Sequence, residues 1–177
     1  MKATGVVRRI DDLGRIVIPK EIRKTLRIKE GDSLEIYIDE EEHIVLNKFS
    51  VMAKIEDFAQ KFTDAIYSFL KKNIMIANND TILAFSGPMK KDYLGKPVSE
   101  SIQTYINRRD SMLEKYEKDF CFVDGDKVSG TYALSSIVSN GDAVGIVVIF
   151  SADGKVTEAD EQIARIAAQF LAKYLEQ

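Results

Sequence analysis

Hydrophobic and polar positions follow one period over residues 1–49 and another beyond residue 53. In the first stretch, Thr4–Ile10 is β-branched and interleaved with charge, which predicts a strand. Asp11-Asp12-Leu13-Gly14 supplies turn residues, and Arg15–Ile18 reads as a second strand. Pro19 suits the start of a helix, where its missing N–H removes no bond. Lys20–Leu26 then makes about two helical turns, with Ile22 and Leu26 on one face and Arg23 and Arg27 beside them. After a turn at Lys29-Glu30-Gly31-Asp32, Ser33–Asp39 alternates strictly, with Leu34, Ile36 and Ile38 on one side. An acidic loop, Asp39–Glu42, leads to a fourth strand, His43–Phe49.

Beyond a short connector the period lengthens. Ala53–Leu70 carries Ile55, Phe58, Ala59, Phe62, Ala65, Ile66, Phe69 and Leu70 at steps of three and four, the mark of an amphipathic helix. Its apolar stripe packs on its own domain or forms a seam with another helix. Asn73–Ala77 and Thr81–Phe85 flank the turn residues Asn78-Asn79-Asp80. Val98–Arg109 reads as a helix with Ser99 as its cap, and Met112–Tyr116 and Phe120–Val123 as short strands. Thr131–Val138 and Ala143–Ser151 surround Asn140-Gly141-Asp142, a strong hairpin signal. The second of these strands is almost wholly apolar and is expected to be central, covered on both faces. Thr157 and Asp160 have capping-box spacing and open a final helix to about Leu175. The pattern as a whole predicts a β-dominated N-terminal segment and an α+β body.

Composition narrows the function classes. The chain has 177 residues, 45% hydrophobic and 30% charged, with a net charge of -3. No apolar run is long enough to span a membrane, and the N-terminus lacks a signal-peptide pattern. A single cysteine, Cys121, precludes an intramolecular disulfide and fits a reducing cytosol. Some 50 residues with four short strands bury too little to be stable alone, so the N-terminal part is expected to be an obligate homodimer.

Catalytic chemistry is not legible. His43 follows a run of acids and reads as a solvated turn residue, and Cys121 as a small core hydrophobe. There is no P-loop, no dinucleotide-binding glycine pattern and no metal-ligand spacing, so the expectation is no enzyme, no metal and no cofactor. Charge distribution says more. Residues 1–29 hold nine Lys/Arg against three acids, and residues 30–42 hold seven acids and no base. Arg8, Arg9, Arg15, Arg23, Lys24 and Arg27 are the candidate nucleic-acid contacts, since clustered cations neutralise phosphates whatever the net charge. The competing reading is an ordinary solvated charged face. Three acids do not balance nine bases, and five of the nine are arginine, the more selective donor.

The run TGVVRRIDDLGRIVIPKEIRKTLRIKEGDSLEIYID closely resembles the AbrB-type family of swapped-hairpin DNA-binding domains of spore-forming bacteria, over residues 1–49. The remainder resembles a GAF domain. The resemblance implies an intertwined swapped-hairpin barrel at 1–50, a connecting amphipathic helix at 51–72 and a ligand-sensing or oligomerisation domain at 73–177. It implies a transcriptional regulator, activator or repressor, of sporulation genes in the forespore, cytoplasmic and nucleoid-associated. The family's DNA-contacting arginines fall on Arg8, Arg15 and Arg23, with Arg9 and Lys24 beside them, and its members prefer A/T-rich double-stranded DNA. It further implies a tetramer, joined through helices 53–70 and 158–175. The GAF resemblance allows an unknown small-molecule ligand, with Phe85, Phe122 and Tyr132 as candidate pocket residues. A different class, an antitoxin-like interaction module, uses the same N-terminal fold; antitoxins usually end in a short disordered tail, unlike the long folded C-terminal part expected here.

Overall fold

The structure is a computed structural model that describes residues 5–26, 28, 30–49, 52 and 55–176. The chain divides into two compact units, Met1–Phe49 and Ser50–Gln177.

In the first unit, helix α1 spans Lys20–Thr25, and strands β1 (Leu34–Ile38) and β2 (Ile44–Lys48) pair antiparallel. The expected strands over Thr4–Ile10 and Arg15–Ile18 are not strands among the described residues; Thr4 itself lies outside them. The physical reason is a missing partner: a strand is defined by its ladder, and this unit alone offers these residues none. Burial agrees. Among its described residues only Pro19 is buried, while Val7 is 88% and Val17 73% exposed. In the hairpin, Ile36 faces Leu46 and Ile38 faces Ile44 on one side of the ladder, and all four are exposed.

The second unit is a three-layer body. Helix α2 (Glu56–Leu70) leads into strands β3 (Asn73–Asn78) and β4 (Ile82–Ser86). The short helix α3 (Lys90–Tyr93), which sequence patterning does not reveal, and helix α4 (Glu100–Arg108) follow. Strands β5 (Ser111–Phe120), β6 (Val128–Ser139) and β7 (Asp142–Ser151) precede the last helix, α5 (Glu158–Leu175). The sheet is antiparallel in the order β4-β3-β7-β6-β5, so the apolar strand β7 is central as expected. Two expected strands near residues 112–123 are one strand that ends at Phe120, and 121–127 is loop. Cys121 is consequently half-buried in a loop rather than a strand residue in the core.

The period of two sorts the strands between two cores. Ile74, Ile76, Ala133, Ile137, Val147 and Ile149 face α2 and α5. Met75, Tyr132, Leu134, Ile146, Val148 and Phe150 face α3 and α4. Each buried aliphatic or aromatic side chain contributes about 1.5–3 kcal/mol, so this unit has two cores of its own, whereas only Pro19 is buried among the described residues of the first. Local signals hold as read: the Ser99 hydroxyl accepts from the Ile102 N–H, and Thr157 with Asp160 closes a capping box.

Candidate nucleic-acid interface

The candidate cations lie on three local structures of the first unit. Arg8 and Arg9 sit on the irregular exposed stretch before the first turn. Arg15 closes that turn. Arg23 and Lys24 occupy the last turn of α1, where cations complement the carbonyl end of the helix. Pro19 precedes the helix with ψ 148°, and its carbonyl accepts the Arg23 N–H at 2.9 Å, so the arginine's backbone is held in the first helical bond. All five side chains are exposed. Among the described residues no acid pairs with Arg8, Arg9, Arg23 or Lys24. Arg27 lies outside the described residues.

Arg15 is different. Its backbone N–H donates to Asp11 Oδ1 at 2.8 Å, and its Nε donates to Asp11 Oδ2, also at 2.8 Å. The Leu13 N–H shares Oδ1 at 3.0 Å. Backbone and side-chain hydrogen bonds from Arg15 hold the Asp11 carboxyl below its usual pKa. Gly14 takes φ +75°, in the left-handed region that favours glycine, and its N–H bonds Asp11 O at 3.0 Å.

The turn joining β1 to β2 repeats this arrangement. Asp39 Oδ1 accepts from the Glu41 and His43 N–H groups, both at 2.9 Å. His43 Nδ1 lies 3.2 Å from each Asp39 carboxylate oxygen. Glu42 takes φ 63° where Gly14 stands in the first turn. Two turns, Asp11 to Arg15 and Asp39 to His43, therefore share one bonding scheme. Sequence patterning identifies both as turns but misses that each aspartate also grips the side chain four residues on; an acid-to-base spacing of four was the available signal.

In the second unit, the three candidate pocket residues fall in one core cluster. Phe85, Phe122 and Tyr132 are fully buried in an aromatic cluster. Phe85 and Phe122 have ring centroids 5.7 Å apart, and Phe120 bridges Phe122 and Tyr132 at 4.9 and 4.5 Å. Burial pushes the Tyr93 and Tyr132 phenols well up, and hydrogen bonds with Asp126 and Tyr105 add to the shift. On the opposite face, α2 and α5 share a stacked aromatic row: Phe58 on Tyr174 at 4.7 Å and Phe62 on Phe170 at 5.4 Å.

Residues 54–176 match the family model for the stage V sporulation protein T C-terminal, a transcription factor. The chain belongs to the stage V sporulation protein T family. Over its whole length it is 47% identical to stage V sporulation protein T of Bacillus subtilis (strain 168), covering all of both chains. The family is one of transcription factors and not of enzymes. Residues 7–51 match the model for the antidote-toxin recognition protein MazE, a bacterial antitoxin. Over 49 residues, 28% of this chain and half of the relative, the chain is 59% identical to the transition state regulatory protein AbrB of the same organism. The N-terminal unit is thus AbrB-like. The cofactor-binding GAF domain of the nutrient sensor CodY from Clostridium difficile is 16% identical, with a TM-score of 0.53, covering 88% of this chain and 94% of that one. That likeness establishes a GAF-like fold for the C-terminal unit.

Proposed function

We propose that this family member regulates sporulation genes by binding A/T-rich double-stranded DNA as a homo-oligomer, through residues 1–50. The observation that carries the reading is the coincidence, in one small unit, of exposed cations, of which Arg8, Arg9, Arg23 and Lys24 have no acidic partner among the described residues, and exposed apolar side chains without a core. A second copy supplies the core and doubles the cationic face, so Arg8, Arg9, Arg15, Arg23, Lys24 and Arg27 form a composite surface. Long cations on such a surface reach phosphates at the spacing of a duplex, and arginine adds bidentate contacts to base edges. A loose preference for A/T-rich sites fits readout of DNA shape and deformability.

Residues 51–72 connect this domain to a GAF-like domain at 73–177, which assembles dimers into tetramers. The exposed parts of Phe170, Tyr174 and Ile166 on α5, continuous with the Phe58–Phe62 row on α2, are the joining surface. A small molecule entering beside Phe85, Phe122 and Tyr132 would have to displace rings that touch one another. The site of action is the cytoplasm, on the nucleoid of the forespore; no helix among the described residues is long and apolar enough to cross a membrane. The MazE match at 7–51 supports a second reading, an antitoxin-like protein-binding module.

Fluorescence anisotropy on an A/T-rich duplex, over a series of salt concentrations, tests the reading. Log affinity should fall with log salt at about 0.9 per phosphate neutralised. A flat line would sink it, and tight binding to a protein partner with no DNA binding would favour the second reading.

A further inference from the structure

The first turn uses one aspartate for two tasks. Asp11 Oδ1 closes the loop by accepting the Leu13 and Arg15 amides, and Oδ2 takes the Arg15 Nε–H. A guanidinium has five donors in a fixed planar fork. Occupying Nε leaves both terminal nitrogens unused and fixes the plane in which they point. The side chain is 70% exposed, so without Asp11 it would sample many rotamers. The second turn, Asp39 to His43, reproduces the amide bonds and the side-chain contact with different residues at every position between and after the aspartate. The scheme is therefore a property of the aspartate at the head of the turn rather than an accident of the Leu13-Gly14 sequence.

We propose that Asp11 is a positioning residue for DNA binding, holding the Arg15 fork so that its terminal nitrogens meet the nucleic acid already oriented. This rests on the reading of Arg15 as a DNA contact. The proposal makes a counterintuitive demand. Asp11 carries a negative charge next to a DNA-facing cation, so removing that charge strengthens binding if electrostatics alone operates. If Asp11 orients Arg15, removing it weakens binding, because the complex must then order a free side chain.

Asp11→Asn keeps an amide-accepting oxygen for the turn and loses the anionic oxygen that holds Nε. The expected result, in the full chain on an A/T-rich duplex, is affinity lowered about fivefold, two exposed ion pairs being lost in a dimer. In an Arg15→Ala background the same substitution should produce no further loss. Asp39→Asn, which removes an equal charge from the sister turn, should leave affinity unchanged or raise it. Tighter or unchanged binding by Asp11→Asn overturns the positioning role, as does an equal loss without Arg15 or an equal loss from Asp39→Asn. If Arg15→Ala itself leaves affinity unchanged, the underlying assignment of Arg15 has failed instead. Should Asp11→Asn not fold, the Arg15 Nε–H resonance of the unsubstituted protein decides. It should stay protected from exchange in the DNA complex; rapid exchange there overturns the proposal.

Discussion

Lys72 Nζ donates to Asp160 Oδ2 at 2.5 Å, tying the residue just before β3 to the first turn of α5 across 88 positions of sequence. The same oxygen accepts the Thr157 N–H at 2.7 Å and the Thr157 hydroxyl at 2.8 Å. One nearly buried carboxylate thus caps a helix and anchors the strand entry opposite it. Burial pushes its pKa up, and the bonds from Lys72 and Thr157 more than offset that, so it titrates below the ordinary aspartate value.

Asp160→Asn should therefore destabilise the C-terminal unit by on the order of 3 kcal/mol at neutral pH, since it strands a half-buried ammonium. The pH dependence has a definite sign. A carboxyl depressed in the folded state contributes fully above about pH 4 and loses its contribution as pH falls through the folded pKa. Thermal melts should show the native protein losing stability more steeply than the variant below about pH 4.

Arg23→Ala should weaken binding to A/T-rich DNA and reduce the salt slope by about two in a dimer, one phosphate contact per copy. Arg23 is exposed, so its stability should change by less than about 0.5 kcal/mol. Anisotropy titrations and a melting curve on the same sample check both parts. A drop in melting temperature with no change in slope would make the residue structural.

Phe170→Glu should split the proposed tetramer into dimers. Phe170 is 47% exposed while stacking on Phe58 and Phe62, so the substitution damages an external face more than the internal core. Sedimentation or light scattering should show half the native mass, with secondary structure retained. Unchanged mass would move the joining surface elsewhere.

Phe122→Ala should destabilise the C-terminal unit by about 3–5 kcal/mol, through lost burial and the cavity left among Phe85, Tyr93, Phe120 and Phe150. DNA affinity should persist below the melting temperature. Chemical denaturation with a DNA titration separates the two effects.

Local chemistry made much of this fold readable. The Asn140-Gly141 hairpin, the Ser99 cap and the Thr157–Asp160 box each depend on neighbours in sequence, and each appears where patterning places it. The cationic stretch was equally plain, because charge imbalance needs no tertiary information. Helix α3 is not legible in the sequence because four residues give no period, and its Tyr93 is buried in a cluster with Phe85 and Phe122, which are distant in sequence. The β5 strand reads as two in the sequence because its register with β6 shifts between Glu114 and Lys118, breaking the apolar alternation.

Period, capping and charge thus specified the helices, the central apolar strand β7 and the basic N-terminal stretch from the chain alone, since each is an interaction within a few residues. Long-range packing settled the rest. It ordered the sheet β4-β3-β7-β6-β5, filled one face with touching aromatic rings, and joined Lys72 to Asp160. It also left Gly5 to Ile18 without strands, because a β-ladder is a relation between two segments and this unit alone supplies one of them.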